Sequence, residues 1–284
     1  MDQSPHNLRD FPLIAAAHTP MHPDGKLNFA MVAEQAVHFR QTGVRGVFSG
    51  GSTGEGQSLA TDERVTLAEF WVDAAKEQGL RCIISVGHNS QVDASHLARH
   101  AHEIKADGVA CQAPCFFRPS TIDDLIQFLA PIARQAEKLP FYLYDLPSLT
   151  GVSFPTSELL ETAKRQIPTL AGVKYTNPDL MELQRCIHLD NGAFEVLWGC
   201  DEALLAGIAL GAQGAVGSTY NFAAPLYRRI LAAWADGDLD TARALQLESC
   251  RIVKILARFG FTAAAKTVMS MVDIDCGPAR SPLR

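Results

Sequence analysis

The stretch that decides the fold is Ala171-Gly172-Val173-Lys174-Tyr175-Thr176-Asn177-Pro178-Asp179. Small and β-branched residues from Thr169 to Val173 predict a short buried strand, and Pro178 closes it. The strand stops at Lys174, whose side chain therefore points into whatever the strand helps to line. Burial penalises a charged ammonium, and a neutral amine can attack a ketone as a Schiff-base nucleophile. The local context leaves a second interpretation equally open, a strand-end lysine that reaches water.

Lys174 is one of eight lysines in the chain, and one other competes with it as a buried amine. That rival is Lys266, which follows three alanines in a helix-like run. The remaining six lie in a turn or in helical patterns with polar neighbours, so solvated ammonium groups explain them: Lys26, Lys76, Lys105, Lys138, Lys164 and Lys254.

Apolar strand-like runs alternate with helical patterns along most of the chain. Several runs are apolar throughout, as strands buried on both faces should be. Eight such units predict a closed (β/α)8 TIM barrel. An open doubly wound sheet is the alternative, but the glycine-rich segment 50–56 lacks the spacing of a dinucleotide-binding turn and the Lys-Ser/Thr end of a P-loop.

The end of the chain differs from the rest. Residues 238–273 carry two helical patterns and no strand. We therefore expect two parts, a barrel over residues 1–234 and a C-terminal helical extension over residues 235–284 that packs on it.

Composition excludes several classes of function. The net charge is −6, and no run of lysine or arginine is present to neutralise phosphates, so we expect neither nucleic-acid nor membrane-surface binding. Seven scattered cysteines without a Cys-x-x-Cys pair indicate thiols in a reducing compartment. Met1 to Asp10 lack the apolar segment of a signal peptide, and no apolar run is long enough to span a membrane. The predicted location is the cytoplasm.

In barrels of this kind the working residues follow the C-terminal ends of the strands. Ser52 and Thr53, flanked by glycines, offer hydroxyls and backbone N–H groups that can hold a small carboxylate. A 2-keto acid would then place its keto carbon at Lys174, and Tyr144 could move the proton. Further polar groups follow the last two strands: Asp201, Glu202 and Ser218.

A metal site is not expected. His96 and His100 stand one helical turn apart, but no Glu-x-x-His arrangement supports them, so a solvated helix face explains both.

Together these motifs resemble the superfamily of class I pyruvate aldolases that contains N-acetylneuraminate lyase and dihydrodipicolinate synthase. The resemblance covers nearly the whole chain. It rests on a carboxylate loop, a tyrosine segment and a Schiff-base strand, which here read Gly51-Ser52-Thr53-Gly54-Glu55, Tyr144-Asp145-Leu146-Pro147 with Thr150-Gly151, and Gly172-Val173-Lys174. Three other segments are similar to the lyase branch: Lys174-Tyr175-Thr176, Gly199-Cys200-Asp201-Glu202 and Gly214-Ala215-Val216-Gly217-Ser218-Thr219-Tyr220-Asn221.

The resemblance implies reversible cleavage of N-acetylneuraminate into pyruvate and N-acetylmannosamine, without a cofactor, by a homotetramer that is a dimer of dimers. Lys174 and Tyr144 would be the catalytic residues. Ser52 and Thr53 would hold the carboxylate, and the remaining positions would contact the sugar portion: Thr176, Gly199, Asp201, Glu202 and Ser218.

Two positions depart from the family pattern. The synthase branch carries an arginine in the tyrosine segment that binds a second carboxylate, and here that position is Leu149, which argues against a synthase. Many relatives have a tyrosine, lent by a neighbouring subunit, in the segment that here reads Pro114-Cys115-Phe116-Phe117-Arg118-Pro119. A phenylalanine at Phe116 relays no proton, so Tyr144 and the substrate carboxylate would have to act alone.

Two other functions remain open from the sequence. One is a related aldolase or dehydratase acting on another 2-keto-3-deoxy sugar acid. The other is a silent barrel that binds sugar acids as a sensor, although such a binder would not need a desolvated amine beside a phenol.

Overall fold

Eight parallel strands close into a barrel in the computed structural model, which describes residues 8–283. The strands pair in chain order, and the last pairs with the first. They are β1 (Leu13–Ala16), β2 (Gly46–Ser49), β3 (Arg81–Ser85), β4 (Gly108–Gln112), β5 (Phe141–Asp145), β6 (Leu170–Tyr175), β7 (Glu195–Trp198) and β8 (Gly214–Gly217). The predicted (β/α)8 TIM barrel is confirmed.

Helices connect the strands and continue beyond the last one. They are α1 (Ala30–Gln41), α2 (Thr61–Gln78), α3 (Gln91–Glu103), α4 (Ile122–Gln135), α5 (Pro147–Thr150), α6 (Thr156–Ala163), α7 (Leu180–His188), α8 (Leu204–Leu210), α9 (Tyr220–Ala235), α10 (Leu239–Arg258) and α11 (Phe261–Met271). Short 3-10 turns precede α2 and α8 and follow α7. The short α5 is absent from the sequence prediction.

The segment around Lys174 shows how local sequence sets the elements. Position 172 in β6 requires glycine, because a Cβ there would stand 1.9 Å from the carbonyl oxygen of Glu195 on β7. After Pro178 the Asp179 carboxylate accepts hydrogen bonds from the backbone N–H groups of residues 181 and 182, at 3.0 and 3.1 Å. This N-cap begins α7 at Leu180 and so ends the irregular stretch that follows β6, which continues one residue past the predicted end at Lys174, to Tyr175.

A polar network lies among the side chains inside the barrel at the N-terminal ends of the strands. Arg81 forms a bidentate pair with Glu195, at 2.8 and 3.0 Å, and the Tyr142 hydroxyl donates to Glu195 at 2.5 Å. Above it the interior is filled by apolar and aromatic side chains, including Phe48 and Tyr144. The barrel is therefore packed through its length, and its chemistry is confined to the C-terminal end.

The helical extension packs back on the barrel. α10 lies against α9 and against the turn at residues 201–203. The predicted C-terminal helical extension is thus confirmed, whereas its boundary at residue 235 stays a prediction. The first seven residues, on which most of the signal-peptide argument rests, lie outside the described residues.

Two features of residues 8–283 bear on the function. None of the described helices is long and apolar enough to cross a membrane. Within the same residues, no three side chains of histidine, cysteine, aspartate or glutamate come together as a metal site requires.

Candidate active site

Lys174 lies at the C-terminal end of β6 and is buried, with 4% of its surface exposed. Its Nζ stands 3.7 Å from the ring centroid of Tyr144 and 4.4 Å from that of Phe48. Lys174 and Tyr144 are register partners on adjacent strands, which explains the contact. No hydrogen bond or ion pair of this Nζ is seen within residues 8–283. The amine therefore lies at the mouth of the barrel in an aromatic setting without a carboxylate partner.

Lys266, the rival lysine, is bound quite differently. Its Nζ stands 2.7 Å from a carboxylate oxygen of Glu55, and both side chains are inaccessible to solvent, at 1% and 0% exposure. The same Nζ donates to the carbonyl oxygen of Pro278 at 2.8 Å. A lysine held in this way is not free to attack a substrate.

The Tyr144 hydroxyl is oriented by the carboxylate loop, which we define as residues 50–55. Tyr144 Oη and Ser52 Oγ lie 3.0 Å apart, and either can be the donor. The tyrosine ring also packs edge-on against Phe48, with centroids 5.3 Å apart. A phenol whose ring lies against a buried amine and whose hydroxyl is paired with a second hydroxyl is suited to proton transfer.

The carboxylate loop also meets the end of β8. Thr53 Oγ1 and Ser218 Oγ lie 2.6 Å apart, so two predicted site residues from opposite halves of the sequence touch. Gly50 begins the loop at a φ of +71°, in the left-handed region that favours glycine. A Cβ at Gly51 would meet the Phe48 ring at 2.6 Å. The glycines thus permit the tight turn that brings Ser52 and Thr53 to the barrel mouth.

Asp201 occupies a more internal place than the sequence indicated. It is buried, and its Oδ2 accepts hydrogen bonds from both the backbone N–H and the hydroxyl of Thr219, each at 2.7 Å. Burial raises the pKa of the Asp201 carboxyl to about 6. The carboxylate therefore holds the segment at the start of α9, whereas Glu202 beside it is exposed.

Thr176 and Gly199 lie together after β6 and β7. Thr176 Oγ1 is buried and has no hydrogen-bond partner within the described chain. A Cβ at Gly199 would stand 2.1 Å from that oxygen, so glycine leaves the hydroxyl its place. A buried hydroxyl without a partner is available to a ligand.

A cleft opens on the side of Tyr144 formed by the segments after β2 to β5. Its wall includes Ser52, Tyr144 and Leu149, together with four polar residues that sequence reasoning missed: Gln57, His88, Asn89 and Gln112. Gln112 ends β4, and His88 and Asn89 lie in the loop after β3, so the rule that points to strand ends could have found these three. Leu149 is 64% exposed, and the cleft has no arginine in its wall.

Residues 11–284 match the dihydrodipicolinate synthetase family. The chain belongs to that family. Members with similar sequences include N-acetylneuraminate lyase from Gallus gallus, 41% identical over 95% of this chain and 89% of the relative, and the enzyme of the same name from Homo sapiens, 39% identical over 96% and 86%. Two solved structures superpose with TM-scores of 0.94: N-acetylneuraminate lyase from Proteus mirabilis, 39% identical, and that from Aliivibrio salmonicida, 38% identical. Each structure covers 96% of this chain, and this chain covers 92% of the first structure and 91% of the second.

Proposed function

We propose that this member of the dihydrodipicolinate synthetase family is a class I aldolase that reversibly cleaves N-acetylneuraminate to pyruvate and N-acetylmannosamine. The observation that carries the proposal is the buried, unpaired amine of Lys174 against the ring of Tyr144. Lyases of that name from vertebrates and bacteria are similar to this chain over nearly its full length, which supports the choice of substrate.

The reaction begins at Lys174. Its amine attacks the keto carbon, water leaves, and an imine links substrate and lysine. The imine accepts the electron pair of the breaking C–C bond, so the aldehyde product departs and a pyruvate enamine remains. Protonation of that enamine and hydrolysis by one water release pyruvate and restore the amine.

Tyr144 is the proton-transfer group in this scheme. Cleavage requires a base for the hydroxyl proton next to the breaking bond. Tyr144, whose ring centroid lies 3.7 Å from Lys174 Nζ, is a titratable side chain in contact with that amine. Ser52 Oγ, 3.0 Å from Tyr144 Oη, extends the path toward the bound carboxylate. This pair supplies a route for the proton without a tyrosine at Phe116.

Recognition of the two ends of the substrate is divided between two groups of segments at the mouth, which meet where Thr53 contacts Ser218. The carboxylate loop, with Ser52 and Thr53, holds the carboxylate. Thr176, Gly199, Glu202 and Ser218 follow β6 to β8 and face the polyhydroxylated tail, while Asp201 supports that wall through Thr219. A shorter 2-keto-3-deoxy acid is the second candidate substrate, favoured by the internal engagement of Asp201, which leaves one acidic group for the tail.

We also propose a homotetramer, built as a dimer of dimers, in the cytoplasm. Phe116 and Phe117 are 77% and 85% exposed beside the cleft, and a subunit contact would cover them. All seven cysteines are free thiols, which fits a reducing compartment.

Product analysis tests the proposed function. When N-acetylneuraminate is incubated with the protein, NMR should show pyruvate and N-acetylmannosamine forming in equal amounts. The Lys174→Ala variant should yield neither. A wild-type protein that cleaves only shorter 2-keto-3-deoxy acids would favour the second candidate, and one that binds sialic acid without cleaving any acid would favour the sensor.

A further inference from the structure

Glu55 is the last residue of the carboxylate loop and has an unusual backbone conformation. Its backbone adopts a φ of +56°, a left-handed conformation that is uncommon for a residue with a side chain. Its N–H donates to the carbonyl oxygen of Ser52 at 3.0 Å, which ties it to the first of the two hydroxyl residues. Strain of this kind persists only where the surroundings determine the conformation.

Those surroundings come from the far end of the chain. Lys266 on α11 contributes the ammonium group 2.7 Å from Glu55, and the backbone N–H of Arg280 donates to the other carboxylate oxygen at 2.6 Å. Both oxygens of Glu55 are thus held by the C-terminal extension. No atom of Glu55 lines the cleft, so it is not in contact with a substrate there.

Neighbouring contacts fix the same loop from the side of β1. Thr19 Oγ1 donates to the carbonyl oxygen of Gly54 at 2.5 Å. His18, fully buried next to this contact, has a pKa lowered to about 3 by its burial and by the charge of Lys266. A neutral His18 adds no second charge to the interior, so Glu55 and Lys266 remain a balanced pair.

A buried ion pair is a poor source of net stability. Removing two charges from water costs several kcal/mol for each ion, and well-packed apolar residues often do as well or better. The pair at Glu55 and Lys266 instead fixes a geometry, since it allows one arrangement of the loop that carries Ser52 and Thr53.

We propose that Glu55 and Lys266 are positioning residues through which the C-terminal extension sets the carboxylate loop for a 2-keto acid carboxylate. The inference rests on the proposed function, because it assigns that carboxylate to Ser52 and Thr53. The extension is then part of the binding apparatus of the barrel, although none of its side chains needs to touch the substrate.

The test compares Glu55→Gln and Lys266→Met with a matched control, Glu63→Gln. Glu63 pairs with the Arg280 guanidinium at 2.7 Å and so also joins α2 to the extension. That guanidinium keeps its bonds to the carbonyl oxygens of Gly25 and Ser58 when Glu63 is changed, so the Arg280 backbone N–H that serves Glu55 stays in place. The readout is the pyruvate concentration that gives half-maximal borohydride trapping on Lys174. Steady-state KM and kcat, with thermal unfolding, complete the comparison.

Both pair variants should raise the half-saturating pyruvate concentration by roughly ten- to a hundredfold, since a misplacement of about 1 Å can cost 10²-fold. Their kcat at saturation should change less than KM. Lys266→Arg, which keeps the charge, should recover much of the loss, and Glu63→Gln should bind pyruvate as the wild type does.

A folded Glu55→Gln protein with the half-saturation of Glu63→Gln would overturn the inference, even if its unfolding temperature falls. If Lys266→Met does not fold, the nearly isosteric Glu55→Gln and the charge-retaining Lys266→Arg decide the matter. Wild-type protein that pyruvate and borohydride leave unmodified would contradict the proposed function itself, and the inference with it.

Discussion

Lys174 and Lys266 are both buried, and the groups around each decide its chemistry. Lys266 has a carboxylate at 2.7 Å, whereas Lys174 has two aromatic rings and no anionic partner within the described chain. An amine without a carboxylate contact is free to approach a bound keto carbon. At the residue scale, the absence of a carboxylate contact therefore distinguishes Lys174 from Lys266.

Tyr144→Phe tests the proton-transfer role. The variant should keep its fold and lower turnover by roughly 10²- to 10⁴-fold, as expected for loss of a general acid or base. Tyr142→Phe is the matched control, because that tyrosine also points into the barrel but donates to Glu195 at the opposite end. Equal turnover in the two variants would show that the Tyr144 hydroxyl is structural.

Asp201 should make stability depend on pH. Burial raises the pKa of its carboxyl from 3.8 to about 6, so the ionised form is disfavoured in the folded state. The stability that this group contributes is complete below pH 4 and is lost as the pH rises through 6. Because Asp201→Asn removes that titration, the free energy of unfolding of wild type relative to the variant should fall by roughly 3 kcal/mol across this range.

Urea unfolding at pH 4 and pH 7.5 measures this difference for both proteins. Parallel pH profiles would mean that the carboxylate does not titrate within the range. Asp201 holds Thr219 in place, so Asp201→Asn should also be less active. Urea unfolding measures the change in stability separately from that loss of activity.

At the scale of elements, strand ends were predictable and their contacts were not. Lys174, Tyr144 and Ser218 follow apolar runs that the sequence marks as strands, and the barrel rule places them at one mouth. The pairing of Ser52 with Tyr144 and of Thr53 with Ser218 depends on loop conformation and barrel closure, which hydropathy does not encode. For Asp201, the position after β7 was predictable from the sequence, whereas the contact of one carboxylate oxygen with Thr219 was not.

The segment after β7 should set substrate preference. Glu202 is exposed at its start, where an acceptor suits a hydroxylated tail and repels a second carboxylate. Glu202→Ala should narrow the kcat/KM preference for N-acetylneuraminate over a six-carbon 2-keto-3-deoxy acid by roughly 5- to 150-fold, the value of one unpaired acceptor. Pyruvate imine formation should be unchanged.

Glu161→Ala, on the exposed surface of α6, is the control for that comparison. Should the ratio stay the same in Glu202→Ala and in this control, or should wild type prefer the shorter acid, the second candidate substrate would replace the first.

On the scale of the whole molecule, the barrel and its extension are joined by contacts that no local pattern reveals. The run of alanines before Lys266 predicts a helix correctly. The ion-pair partner of Lys266, Glu55, lies in the second βα segment of the barrel. Charge balance between such distant groups appears only once the chain is folded. The same is true of Phe48, an apolar strand residue by sequence that becomes one of the two rings around Lys174.

The proposed tetramer is tested in solution. Sedimentation equilibrium should give four chains per particle, and Phe117→Asp should shift the population toward smaller species, because the exposed aromatic pair would no longer be covered by an apolar surface. An active wild-type monomer would contradict the proposed assembly.

The most direct test of the central claim is reductive trapping with pyruvate. Borohydride should reduce the imine to a stable adduct, and peptide mass spectrometry should locate it on Lys174 alone, with loss of activity in step with modification. Modification of Lys266 instead, or of no lysine at all, would contradict the assignment of the buried, unpaired amine as the nucleophile.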